Sequence, residues 1–178
     1  MAHISLPDGL PGITGPMTAY PETACHLNGL AEALLRGPSS LTPAERELIA
    51  THVSSGNECH FCTQSHAAAA RELFGGESKI VDLVLSDVQS APLTEKMKAL
   101  LNIAGKVRRD GRTVLPEDVE RARGAGADDK AIHDTVLIAA AFCMFNRYVD
   151  GLATWAPSDP EAYKESGVRL ANQGYLGH

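Results

Sequence analysis

The chain has 178 residues, 44% of them hydrophobic, with a formal net charge of -6 and four cysteines. That length and apolar content suffice for one domain with a real core. The acidic balance argues against nucleic acid or an anionic membrane surface as a partner. The start Met-Ala-His-Ile-Ser-Leu-Pro-Asp-Gly lacks the basic and apolar regions of a secretory signal. The longest unbroken apolar run, Val136 to Phe145, is too short to span a bilayer. The expectation is a soluble, cytoplasmic protein.

In chain order, the stretch to about Pro21 is rich in Pro and Gly and is predicted to be irregular, wrapping the surface. From Glu22 to Arg36 the spacing of Leu27, Leu30, Leu34 and Leu35 predicts an amphipathic helix, stopped by Gly37-Pro38. Thr42-Pro43-Ala44-Glu45 is a capping box with proline at the first helical position. It opens a helix that carries Glu47 and His52. Gly56 suits the left-handed close of that helix, and Asn57 suits the cap of the next, which runs from Glu58 to the stop Gly75-Gly76.

A further helix is predicted from about Ser78 to Leu85, and another from Leu93 to Arg108 after the break at Pro92. Arg109 to Arg112 reads as a turn. Pro116-Glu117-Asp118 starts a short helix ending near Gly124, and Asp128 caps the last one, from Asp129 to about Trp155. That helix is apolar around most of its circumference between Val136 and Phe145, so it is either the centre of the fold or a subunit interface. Sustained strand-like alternation is missing. The predicted fold class is all-α: a single-domain helical bundle over residues 1–178, with its core at about 10–155 and a polar tail, 157–178, that packs on a neighbour or stays loose.

The chemistry concentrates at Cys59, Cys62 and His66. On a helix, at about 100° per residue, these three fall within roughly a 60° arc, so two sulfurs and an imidazole face one spot. In a reducing compartment a Cys-x-x-Cys pair is redox-active or metal-binding rather than a structural disulfide. Structural zinc needs four ligands, and only three are on hand; no metal and no cofactor are expected. Helix-start amides favour ionising Cys59, while His66, one turn along, favours ionising Cys62. A base that accepts the proton outright outweighs a dipole effect of up to about 1 kcal/mol. The expectation is therefore that Cys62 attacks and Cys59 resolves, with Glu47 folding back over His66 across the helical hairpin. Cys143 is expected in the core and Cys25 as structural or exposed. His52 is expected to be structural or to line the pocket, His60 to be exposed, and Asn146, Arg147 and Asp150 to form a buried polar cluster at an interface.

The core Leu41-Thr-Pro-Ala-Glu-Arg-Glu47 through Cys59-His-Phe-Cys62-Thr-Gln-Ser-His66 resembles the alkylhydroperoxidase D-like group of the carboxymuconolactone decarboxylase superfamily, in its peroxidase-related branch. Further likeness lies at Ala99 to Val107, Glu117 to Glu120 and Phe145 to Gly151, so the resemblance covers most of residues 10–155. It implies an all-helical fold that assembles as a homo-oligomer, a trimer or hexamer. It also implies reduction of organic hydroperoxides through the cysteine pair, with a glutamate–histidine proton relay (Glu47, His66) and an outside thiol or disulfide reductase as electron donor. The best-known members carry another histidine directly before the second cysteine. Phe61 stands there in this chain, with His60 one place earlier. Two other readings are a lactone-acting decarboxylase, whose members typically lack the cysteine pair, and a non-enzymatic oligomer whose thiols sense oxidation.

Overall fold

The computed structural model describes residues 2–75 and 79–176. Among the described residues there are nine α-helices and no strand, so the all-α expectation holds. They are α1 (Thr14–Ala19), α2 (Pro21–Leu35), α3 (Pro43–Gly56), α4 (His60–Leu73), α5 (Ile80–Ser86), α6 (Glu95–Asp110), α7 (Pro116–Gly124), α8 (Asp129–Gly151) and α9 (Lys164–Gln173), with short 3-10 turns at Gly111–Thr113 and Pro160–Tyr163. The helix α1 corrects the expectation of an irregular start. The predicted start at Ser78 and the second glycine of the Gly75-Gly76 stop lie outside the described residues.

Local chemistry sets most of these boundaries. Thr42 and Glu45 exchange hydrogen bonds with each other's backbone, forming the predicted capping box of α3. Asp128 accepts from the Ala131 amide at 2.7 Å and starts α8. Thr94 does the same for Met97 at the head of α6.

Helix α3 lies at the centre, against α4, α6 and α8. Leu48, Ile49 and Val53 of α3, Leu100, Leu101 and Ile103 of α6, and Ile138 and Phe142 of α8 form the fully buried core. Helix α8 is not buried all round. Its inner face carries Ile138, Phe142 and Phe145, while Val136, Leu137 and Met144 on the outer face are exposed.

The polar C-terminal segment docks on its own chain, with α9 packed along α4. Gly167 is the contact point: a Cβ there would stand 2.6 Å from the Cβ of Ala68, so only glycine allows this approach. No helix among the described residues is long and apolar enough to cross a membrane.

Candidate active site

The α3–α4 connection is tighter than the sequence suggests. The Cys59 amide donates to Ser54 O at 3.1 Å and the Glu58 amide to Ser55 O at 2.9 Å, the bond pattern of a Schellman close. The left-handed residue is Glu58, at φ 61, and not the predicted Gly56, which stays helical under the Arg108 side chain. Asn57 likewise does not cap α4. It ends α3, and its side chain donates to Asn146 Oδ1 at 2.8 Å. Cys59 follows at once as the N-cap residue of α4. Cys62 is then the third residue of α4, so both thiols sit among the unpaired amides of one helix start. The dipole does not choose between them.

Hydrogen bonding does. The Cys59 and Cys62 side chains are hydrogen-bonded to each other, and both thiols are free. The Cys59 thiol is pushed far up, first by that bond, then by burial, with the Asp150 carboxylate adding to the effect. Cys62 is held below the ordinary thiol value by the bond from Cys59 and by His66 and Asn146, which together outweigh its burial. Of the pair, Cys62 is the favoured thiolate, because His66 and Asn146 stand on its side and Asp150 bonds Cys59.

Glu47 is completely buried, yet its carboxyl is held below the ordinary value of 4.5. Burial pushes it up, but its hydrogen-bonded partners prevail. His66 Nδ1 lies 2.8 Å from Oε2. Arg36 Nη2 donates to Oε1 at 2.7 Å, and Tyr175 Oη donates to the same oxygen at 2.6 Å. The expected fold-back of Glu47 over His66 is therefore what the geometry contains. With the Nδ1 proton directed at the carboxylate, Nε2 is left as the ring's acceptor. The imidazole stands edge-on to Phe142, its centroid 4.5 Å away.

Cys62, Ser65 and His66 line a cavity of about 660 Å³ whose walls are mostly apolar, from Ile13, Met17, Phe61, Phe142 and Phe145. Cys59 lies behind Cys62, fully buried and outside that lining. Phe61 is a wall residue. Its ring presses on Gly12, which has φ +55 and where any side chain would collide with it, and it tilts against Tyr163 at 5.9 Å.

Other expectations divide. His60 is exposed, pairs with Pro157 O at 3.0 Å and stands edge-on to the Tyr163 ring. His52 faces away from the thiols, into a separate depression of about 350 Å³ with Arg108 and Arg109, where burial and then Arg108 lower its pKa. Cys143 is half-buried and packs against the core, and Cys25 is exposed on the cavity rim. The proposed polar cluster separates. Asn146 is buried and hydrogen-bonds both Ser54 Oγ, at 3.1 Å, and the Cys62 side chain, whereas Arg147 and Asp150 are exposed. Sequence reasoning missed Arg36 and Tyr175 altogether. Among the described residues, no group of three or more His, Cys, Asp or Glu is arranged to hold a metal ion.

The fold and the site define an all-helical protein with a paired-thiol centre at one helix start. The family model for carboxymuconolactone decarboxylases matches residues 21–106, a span that contains Glu47, Cys59, Cys62 and His66. An uncharacterised peroxidase-related protein from Ralstonia eutropha JMP134, described as an alkylhydroperoxidase AhpD core, is similar in structure. Its TM-score is 0.78 and its identity 25%, over 89% of this chain and 81% of that one. An uncharacterised peroxidase-related protein from Silicibacter sp. TM1040 matches with a TM-score of 0.78 and 27% identity, over 92% and 94% of the two chains. A protein of unknown function from Agrobacterium tumefaciens, at 23% identity and a TM-score of 0.71 over 81% and 97% of the two chains, shares the fold. No curated protein matches the chain. Just under half of the chain thus fits the carboxymuconolactone decarboxylase family model, and its fold is similar to that of the alkylhydroperoxidase AhpD core.

Proposed function

We propose that this protein is a thiol-dependent peroxidase that reduces organic hydroperoxides, with Cys62 as the attacking thiol. One observation carries the reading: Cys62 lines the cavity beside His66, while Cys59 lies outside that lining. His66 Nε2 takes the Cys62 proton, and Glu47 supports the resulting imidazolium. The Cys62 thiolate attacks the outer peroxide oxygen, the O–O bond breaks, and the alkoxide leaves as alcohol after taking the proton from His66. Cys62 is then a sulfenic acid. The Cys59 thiol condenses with it to form a disulfide and water, and an external thiol or disulfide reductase returns both sulfurs to thiols.

The mostly apolar cavity favours substrates with an organic group over hydrogen peroxide. A reducing cytoplasmic setting suits a site that needs two free thiols. The exposed apolar residues Val136, Leu137 and Met144 of α8 favour self-association as a trimer or hexamer through that face.

The reading is tested by adding tert-butyl hydroperoxide and dithiothreitol to the purified protein. Continuous peroxide consumption that disappears in Cys62→Ser is expected. A double Cys59→Ser, Cys62→Ser variant that still consumed peroxide would sink the scheme. Oxidation stopping at one event per chain would leave a sensor instead.

A further inference from the structure

Tyr175 comes from the segment that the sequence leaves as a loose tail, yet it is buried and stands against the carboxylate at the centre of the site. Its placement is over-determined. The Tyr175 amide donates to Glu32 Oε2 at 2.7 Å, and Arg36 Nη2 donates to Leu170 O at 2.9 Å, so α2 and its C-cap residue grip the segment at two points. The Tyr175 ring lies nearly parallel to the His66 imidazole, with 16° between planes and 6.2 Å between centroids, and the Arg36 guanidinium carbon sits 5.3 Å from the ring centroid. The phenol oxygen is 2.6 Å from Glu47 Oε1 and 3.3 Å from His66 Nδ1.

We infer that Tyr175 is a positioning residue of the Glu47–His66 relay, its hydroxyl saturating Glu47 Oε1 so that Oε2 alone serves the imidazole. This rests on the peroxidase reading for its kinetic consequence, though not for its geometry. A buried carboxylate draws its neighbours in proportion to the charge its donors leave unshared. Arg36 and Tyr175 both donate to Oε1, so Oε2 is left to orient the His66 ring through Nδ1.

Removing only the hydroxyl concentrates charge on Glu47 and draws the proton onto His66. The other charged or titratable groups around the pair are Glu32 from α2, Arg36 at its C-cap, Arg46 from α3, Cys62 on α4 and Arg169 from α9 on the cavity wall. Asp150 of α8 faces the thiols. All of them stay in place when the phenol becomes a phenyl ring.

The test is Tyr175→Phe in the full chain, read two ways. By NMR, the midpoint of the His66 imidazole titration should rise by about one pH unit, the size set by a hydrogen bond to a charged group. With tert-butyl hydroperoxide, kcat should fall about tenfold while KM changes little. Glu32→Gln, which weakens the backbone anchor but keeps the phenol, should move the titration the same way by less. Titration curves that superimpose on wild type in both variants overturn the inference and reduce Tyr175 to packing. A shifted titration in a protein with no peroxide turnover keeps the positioning role and removes the peroxidase reading instead.

Discussion

The α3–α4 hairpin and the C-terminal segment reach the same carboxylate from opposite sides, by different physics. In the hairpin, three residues, one of them left-handed, separate two helices, so Glu47, Cys59, Cys62 and His66 are brought together by short-range geometry. The C-terminal segment arrives from 128 residues away, through a close helix contact at Gly167 and polar anchors on α2. The hairpin supplies the reacting groups, and the segment sets the surroundings in which they act. A site can thus have its chemistry written locally and its electrostatics completed from afar.

The sharpest way to break the comparison is at the thiols. Cys62→Ser should abolish peroxide turnover. Cys59→Ser should still form one sulfenic acid per chain, trapped by dimedone and detected by mass spectrometry. Equal trapping on both sulfurs would erase the distinction between them.

Next in size is the carboxylate shared by the two regions. Glu47→Ala leaves Arg36 buried beside a void and should lower the unfolding free energy by about 3–5 kcal/mol in urea titrations. Because the folded-state pKa of Glu47 is depressed, its contribution is present above the ordinary value of 4.5 and is lost as pH falls through the folded value. Between neutral pH and about pH 3, wild type should therefore lose more stability than Glu47→Gln. Matching pH profiles would mean that Glu47 is no better held in the fold than in the unfolded chain.

Gly167→Ala probes the C-terminal segment alone. Pushing α9 off Ala68 should cost about 1–3 kcal/mol in thermal melts and slow turnover through Tyr175, without changing the alkylation of Cys59 or Cys62 in denaturant. The smallest effect belongs to the hairpin turn. Glu58→Gly relieves a left-handed residue and should stabilise by about 1 kcal/mol, with activity kept. A destabilised variant would show that the Glu58 side chain matters more than its backbone strain.

Much of the site was legible because its signals are local. The capping box at Thr42 and the spacing of Cys59, Cys62 and His66 along one helix need no knowledge of the rest of the chain. The misplaced close of the hairpin has a physical cause. Gly56 and Asn57 are favoured closers, but the Schellman bonds to Ser54 and Ser55 put the left-handed position one residue past Asn57, on Glu58. Arg36 gave no sign, since an arginine before Gly37-Pro38 reads as a helix end. Asn146 was noticed as a polar residue in an apolar helix, but its partners, Ser54, Asn57 and Cys62, are all on other elements.

The sequence by itself determined an all-helical chain, a capped hairpin and two thiols with an imidazole on one helical face, because propensity, capping and the 3.6-residue period act over a few residues. Tertiary structure alone decided which thiol faces the cavity, which donors neutralise the buried Glu47, and that a polar tail supplies one of them. Those outcomes depend on contacts between residues far apart in the chain, and burial gives such contacts their strength by removing the water that would otherwise screen them.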